Sequence, residues 1–436
     1  MLILLLLYLY SIKSYKPVDE RLSQTEEEEL IAEWKPEPLV SKEDAEIALR
    51  QPPQTIIESF SGSRVKIDGK EYLNFSCNGF LGFQKHPEVI EAAIDCSNKY
   101  GVGACGPRGF YGSITPHMSL EKRIAEFMGV PEAVIFSSEF QTIASVIPAF
   151  AKPGDVLICD KGASFGIQTG AQLSRANVKW YEHHNIGELK RVLERLTDVF
   201  QREKNRVFVV AESISSHHGD LLPLQEILAL KKQFPFRIIL DESFSIGVLG
   251  KTGRGITEHL GIPSTSVEII TASIGNALGS IGGFACGLAS MGSHMRLNCS
   301  GYVFSCSIPP YLAAAAIKSI DLLESSEEVN ILQNNIKNFH KTITSNRSFS
   351  NYFTSPSSEF SALVHLRIKK KNKEGTEEEI SDGLFKRGIV LPRTKYSKRE
   401  VFPVEHGLKV SITSEHTQED INTLINELVE VAKELL

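Results

Sequence analysis

Three stretches of this chain carry residue types whose spacing could do chemistry. YGVGACGPRGFYGS (100–113) has glycines at 101, 103, 106, 109 and 112. That density lets a backbone turn tightly and approach another surface closely. Arg108, Phe110 and Tyr111 within it are too bulky for a mere linker. RIILDESF sets Asp241 at the end of an apolar run, where a carboxylate could pair with a protonated ring nitrogen or simply cap a helix. TASIGNALGSIGGFACG (271–287) runs from small residues through Asn276 into a Gly-rich turn and a second apolar run. Alone it reads as a phosphate-cradling turn. Its spacing is not the GxGxxG of a dinucleotide site, and no P-loop sequence is present. The seven cysteines form no CxxC pair, so neither a zinc cluster nor a disulfide framework is indicated.

These stretches need elements to position them. AVIFSS (133–138), VLICD (156–160), RVFVVAES (206–213), RIILDES (237–243) and EIITAS (268–273) read as strands. They are continuously apolar rather than alternating, as in parallel strands buried on both faces. Helical segments separate them, including 186–201 and HPEVIEAAIDCSNKYG, with Pro87 near its start and Gly101 past its end. The alternation predicts a parallel sheet flanked by helices. Ligands of such sheets sit beyond the carboxyl ends of the strands. After about residue 310 the pattern changes to a long helix, strands at 361–368 and 408–413, and a closing helix. Ile421, Leu424, Ile425, Leu428, Val431 and Leu435 fall on one face of that helix, and Thr417 with Asp420 forms a variant capping box. KKKNKEGTEEE (369–379) reads as a charged, solvated loop.

The 436 residues are 42% hydrophobic and 23% charged, with a net charge of −6, which excludes a fibre or a polytopic membrane protein and argues against phosphate-backbone binding. The first dozen residues, MLILLLLYLYSI, are almost wholly apolar. As a helix they would reach ~18 Å, short of the ~30 Å hydrocarbon core. Lys13, Lys16 and Arg21 follow and would hold the downstream chain on the cytosolic side. The segment reads as a membrane-surface anchor or the tail of a spanning helix, with docking on the protein's own core as the bland alternative. TEEEEL (25–30) then starts an acidic helix, and the prolines around EWKPEP impose an extended linker.

From about Tyr72 onward the chain resembles the α-oxoamine synthases, a pyridoxal-phosphate (PLP) family. LNFSCNGFLGF (73–83) is similar to the family's LNFSSNDYLGL, and YGVGACGPRGFYGSITPHMSLE (100–121) to its YGxGxxGSRxxxGTxxxHxxLE. ILDESFSIGVLGKTGRG (239–255) resembles VDDAHGTGVLGxxGRG, and FSCSIPP (304–310) resembles YSTSxPP. The resemblance implies an α/β chain of the PLP-dependent aminotransferase fold type I. A large domain with a mainly parallel sheet (72–310) would be followed by a smaller α+β C-terminal domain (311–436), after an anchor (1–16) and a helix and linker (17–71).

The departures fall at the cofactor. Asn276 stands where the family's Schiff-base lysine would be, and Phe244 stands for the histidine beside the cofactor's O3′. Ser164 replaces the ring-stacking histidine, and Glu139 replaces a glycine whose backbone helps hold the phosphate. Asp241 and Ser216 still match cofactor-contacting positions. An amide is not a nucleophile and forms no imine. The pattern therefore resembles the family's non-catalytic, lysine-less subunits. That implies a heterodimer whose other chain holds PLP covalently and condenses L-serine with palmitoyl-CoA at the endoplasmic reticulum membrane, with the bulk of this chain cytosolic. Small activating subunits and Orm-type regulators are further implied partners. Ser305 and Ser307 would face the partner's PLP phosphate, with Cys306 at the family's Thr position, and Asn78, Arg108 and Tyr111 would lie at the interface. The alternatives are an active acyltransferase using Lys161 or Lys251, and a non-enzymatic membrane scaffold.

Overall fold

The computed structural model describes residues 22–49, 55–200, 205–370 and 375–436, together with Ile3 and Tyr8. The expected anchor at 1–16 lies almost wholly outside the described residues. Among the described residues no helix is long and apolar enough to cross a membrane. The chain divides into two units, 1–55 and 56–436. The first holds the helix Gln24–Glu33, whose start is closed by a capping box between Ser23 and Glu26 and which buries none of its residues. A second short helix spans Lys42–Leu49.

The second unit opens with three strands, β1 (Ser59–Ser61), β2 (Arg64–Ile67) and β3 (Lys70–Asn74). They lie within the region expected to be helix and linker. Their alternation is hidden because β1 is wholly exposed. Seven further strands build the central sheet: β4 (Glu132–Phe136), β5 (Val156–Asp160), β6 (Asn177–Tyr181), β7 (Val207–Glu212), β8 (Arg237–Asp241), β9 (Ile269–Ser273) and β10 (Gly283–Gly287). Their order is β4-β10-β9-β8-β7-β5-β6. Neighbours from β9 through β6 pair parallel, and β10 runs antiparallel between β9 and β4. The mainly parallel sheet is as expected. β5, β7, β9 and β10 are buried at every position, which is why their sequences read as unbroken apolar runs.

Toward the C-terminus, β11 (Phe353–Thr354), β12 (Leu363–Ile368), β13 (Ile389–Val390) and β14 (Leu408–Ser411) follow. β12 pairs antiparallel with β11 and β14, while β13 pairs parallel with β3. The start of the chain's second unit is thus tied to its end. Helix Pro310–Ser325 packs on helices Pro87–Tyr100 and Thr115–Met128. The charged loop expected at 369–379 is in part helix: Thr376–Lys386 begins with three glutamates in its first turn, where anionic side chains suit the helix dipole.

The closing helix Gln418–Leu435 forms as expected. Ile421, Leu424, Ile425, Leu428 and Val431 are buried along it, and Leu435 is half-buried. Thr417 accepts from the Asp420 amide while the Asp420 carboxylate accepts from the Thr417 amide, at 3.1 and 3.0 Å. The same carboxylate accepts from Ser63 Oγ and Arg64, so the cap also fastens β2 and the residue before it. Thr417→Ala is expected to lower unfolding stability by about 1 kcal/mol, measured as a shift in denaturation midpoint at unchanged m-value.

Candidate functional site

The carboxyl ends of β7, β8 and β9 deliver Glu212, Asp241 and Ser273 to one place. Asn276 follows β9 in a tight turn, held by Ser273 Oγ, which accepts from the amides of Gly275 and Asn276 at 2.9 and 3.2 Å. The Asn276 side chain is buried and donates to the Ser243 carbonyl at 2.8 Å. The Ser243 amide in turn donates to Asp241 Oδ1 at 2.8 Å. Glu139 opens the helix Glu139–Phe150 and hydrogen-bonds Ser273. One network therefore runs from Glu139 through Ser273, Asn276 and Ser243 to Asp241.

A second carboxyl group abuts it. Glu212 Oε2 accepts from the Ser164 amide at 3.1 Å and from Ser216 Oγ at 3.3 Å. Ser164 spends its own hydroxyl as the N-cap of helix Phe165–Ser174. The positions expected to stack on and contact a cofactor ring are thus turned inward onto a glutamate. Phe244 is half-buried, with the Lys409 ammonium 5.8 Å from its ring centroid.

The electrostatics follow from crowding acids where water is scarce. Burial pushes Glu212 up to about 8, reinforced by the charge of Asp241 and restrained by the hydrogen bonds from Ser216 and Ser164. Burial likewise raises Glu139 to about 7, against its bond to Ser273. Asp241 is raised by burial, with Ser243 and Thr271 pulling the other way. Burial lowers Lys409, and the Glu139 charge partly restores it. Sequence reasoning misses Glu212 and Lys409, since each occupies an ordinary strand position with no motif around it.

PLP brings a dianionic phosphate and needs an amine for its aldehyde. The described cleft presents three carboxyl groups, an amide, a phenyl ring and one amine, Lys409, which sits over Phe244 and beside Glu139 rather than at position 276. Glu139 occupies the first turn of the helix whose free amides would otherwise attract an anion. The donor set does not fit a PLP held covalently at position 276. The two lysines considered as substitutes lie elsewhere: Lys161 is ion-paired with Glu182, and Lys251 is exposed in a separate cavity beside Glu258 and Gln333.

The glycine-rich segment and the FSCSIPP segment meet, as expected from sequence. Pro107 bridges to Cys306, and Ser307 Oγ faces the carbonyls of Gly106 and Gly112 at 3.1 and 2.7 Å. A Cβ on Gly112 would lie 1.9 Å from the Gly106 carbonyl oxygen, so only glycine fits. Arg108 is buried, 2.9 Å from Glu121, and its guanidinium lies over the Tyr302 ring. It is an internal strut rather than a surface contact. Ser305 Oγ donates to the Gly301 carbonyl at 2.5 Å and lies 2.8 Å from Ser137 Oγ. Both serine hydroxyls thus have acceptors within the chain. Asn78 accepts from Ser411 Oγ at 2.9 Å, joining the segment after β3 to β14. Tyr111, by contrast, is fully exposed at φ 64°, and Phe304 beside Cys306 is 81% exposed.

Residues 70–428 match the family model for class I and II aminotransferases. The chain belongs to that family. It is 39% identical over 433 residues to serine palmitoyltransferase 1 of Dictyostelium discoideum, covering 96% of this chain and 90% of that protein. It is 40% identical to long chain base biosynthesis protein 1b of Oryza sativa subsp. japonica, over all of this chain and 91% of that one. With serine palmitoyltransferase 1 of Saccharomyces cerevisiae it shares 33% identity, over 97% and 78% of the two chains. Among solved structures it is similar to a serine palmitoyltransferase from S. paucimobilis carrying a PLP–myriocin aldimine. There the TM-score is 0.83 at 25% identity, over 92% of this chain and 99% of that one. Within the aminotransferase family the chain therefore falls among the serine palmitoyltransferase 1 and long chain base biosynthesis protein 1 homologues.

The raised acids set a sign for pH dependence. Between its ordinary value of 4.5 and about 8, Glu212 is protonated when folded and ionised when unfolded, so its contribution to stability falls as pH rises through that window. Glu212→Gln keeps the acceptor without the charge. The variant is expected to match the parent's melting temperature near pH 5 and exceed it above pH 8, as thermal melts across that range would show.

Proposed function

We propose that this chain is the non-catalytic subunit of a serine palmitoyltransferase. A second subunit holds PLP on its own lysine, and the assembled complex condenses L-serine with palmitoyl-CoA, losing CO2 and giving 3-ketodihydrosphingosine. The observation that carries this reading is the Asn276 amide, buried and donating to Ser243 in a cleft of carboxyl groups. Homologues named serine palmitoyltransferase 1 support the complex and the reaction. The N-terminal apolar run with Lys13, Lys16 and Arg21 supports attachment to the endoplasmic reticulum membrane with the bulk of the chain cytosolic.

Exposed apolar side chains support the second subunit. Phe110, Tyr111 and Phe304 stand out from the joined 106–112 and 304–307 segments, and Phe140 and Leu173 line a groove with Phe304 and Ser305. Such a group is poorly placed in water and well placed in an interface. Ser305, half-exposed within it, is the hydroxyl best able to turn toward a phosphate on the neighbouring subunit. Ser307 serves the 106–112 loop instead.

Purification from the native membrane tests the assembly: a PLP-bearing homologue is expected with this chain, and its absence would reduce the chain to a scaffold. The isolated chain is expected to show no condensation, and Asn276→Lys alone no rescue, because Glu139, Phe244 and Ser164 still oppose the cofactor. Turnover by that single variant without a partner would contradict the reading. Phe304→Asp, at an exposed position, is expected to leave this chain's melting temperature unchanged while weakening retention of the second subunit at least about tenfold.

A further inference from the structure

Two histidine pairs, His183–His184 and His217–His218, belong to none of the stretches above. β5 lies between β6 and β7, so the loops leaving these three strands meet beyond their carboxyl ends. Asp160 ends β5, His183 and His184 follow β6, and His218 and Asp220 follow β7. His183 Nε2 lies 3.0 Å from both oxygens of Asp220, and His184 Nδ1 lies 3.2 Å from Asp220 Oδ2. The His183 ring stacks on His184 and on His218, at centroid distances of 3.9 and 4.2 Å. Ligand atoms of His183, His218 and Asp220 all fall within 4.8 Å of one another.

The surroundings orient these donors. His183 Nδ1 is 2.7 Å from Asp160 Oδ1, which leaves Nε2 facing Asp220. Asp160 is itself fixed by the amides of Gly162 and His184, at 2.6 and 2.9 Å. Gly162 has no side chain because a Cβ there would sit 2.5 Å from His183 Nδ1. Ser215 Oγ is 3.2 Å from His218 Nδ1, leaving the other ring nitrogen of His218 free. A carboxylate behind a histidine is the usual outer support of a metal-binding imidazole.

We propose that His183, His218 and Asp220 form a divalent transition-metal site, with zinc the ion it fits best. Imidazole nitrogens with one carboxylate suit zinc rather than calcium or magnesium, which take oxygen. Donors at zinc's bond lengths of about 2.0–2.1 Å in a tetrahedron stand ~3.3 Å apart, close to the 3.0 Å between His183 Nε2 and Asp220 Oδ2. The ion takes the place of the hydrogen shared between His183 Nε2 and Asp220, and that proton leaves to solvent. His217 is not part of the set: it is buried and its Nε2 faces Glu400 at 3.7 Å. The role is structural. The loops it would clamp carry Ser164 and Ser216, which hold Glu212, so the ion would pin the rim of the degenerate cleft. This inference is independent of the proposed reaction.

The test is a zinc titration of the full-length chain, in whatever complex it purifies with, after chelator treatment and against a chromophoric competitor. One equivalent of Zn2+ is expected to bind per chain and to raise its melting temperature. His218→Ala and Asp220→Asn are each expected to weaken binding at least about tenfold. Absence of stoichiometric binding would overturn the proposal, as would undiminished binding in the double variant. Should the variants fail to fold, the zinc-edge X-ray absorption spectrum of the unmodified, zinc-loaded chain still decides. A shell of imidazole nitrogen and oxygen is expected, and a sulfur shell would place the ion on cysteines and refute the site.

Discussion

Glu139, Glu212 and Asp241 crowd the carboxyl edge of the central sheet, and among the described residues one cation, Lys409, is drawn in beside them. Three charges at such separations in a poorly solvated place would repel by several kcal/mol each. The fold answers this with burial-raised carboxyl groups and with hydrogen bonds from Ser164, Ser216, Ser243 and Ser273. Asn276, Asp241 and Glu212 each already have an internal partner. The Asn276 amide completes that network, and it could not do so as a charged lysine without repartitioning the protons around it. The cleft is a finished structural core made from the frame of a binding site.

The same residues explain how so much family sequence is held in place around this carboxyl-lined cleft. Arg108 holds Glu121 under the glycine-rich loop, and Glu121 also receives Arg296 at 3.1 Å and the Ile135 amide at 3.1 Å. Removing one member would strand a buried charge, a loss of about 3–5 kcal/mol. Ser307 ties the two ends of that loop, and His117 bonds the Ile308 carbonyl at 2.7 Å. These contacts shape a protruding edge tipped by Tyr111 and Phe304. Scaffold and surface are thus held by packing, while the cleft carries Glu139, Asn276, Phe244 and Ser164, of which Asn276 and Ser164 are bound into the surrounding network.

Much of this was legible in the sequence, for identifiable reasons. The parallel strands announced themselves as unbroken apolar runs because both faces are covered. β6 did not, because as an edge strand its residues alternate between exposed and half-buried and include Asn177 and Lys179. β10 was legible only as the second apolar run after the Gly-rich turn, and its first residue must be glycine because a Cβ on Gly283 would meet Thr142. Asn276, Phe244, Ser164 and Glu139 could be named from motif positions, and the structure adds what replaced the lost contacts. Lys409 was invisible because it is one polar residue in an alternating strand, with its meaning set by Glu139 some 270 residues away. Arg108, expected at the subunit interface, is buried within the chain because its partner Glu121 lies one helix further on.

The central claim is that this chain cannot hold PLP covalently although it retains the fold that does. Borohydride reduction of the purified complex, followed by peptide mapping of pyridoxyl-lysine, tests it directly. The account predicts a pyridoxyl group on one lysine of the second subunit and on none of this chain's lysines. A stoichiometric adduct on this chain, above all on Lys409 beside Glu139 and Phe244, would contradict it.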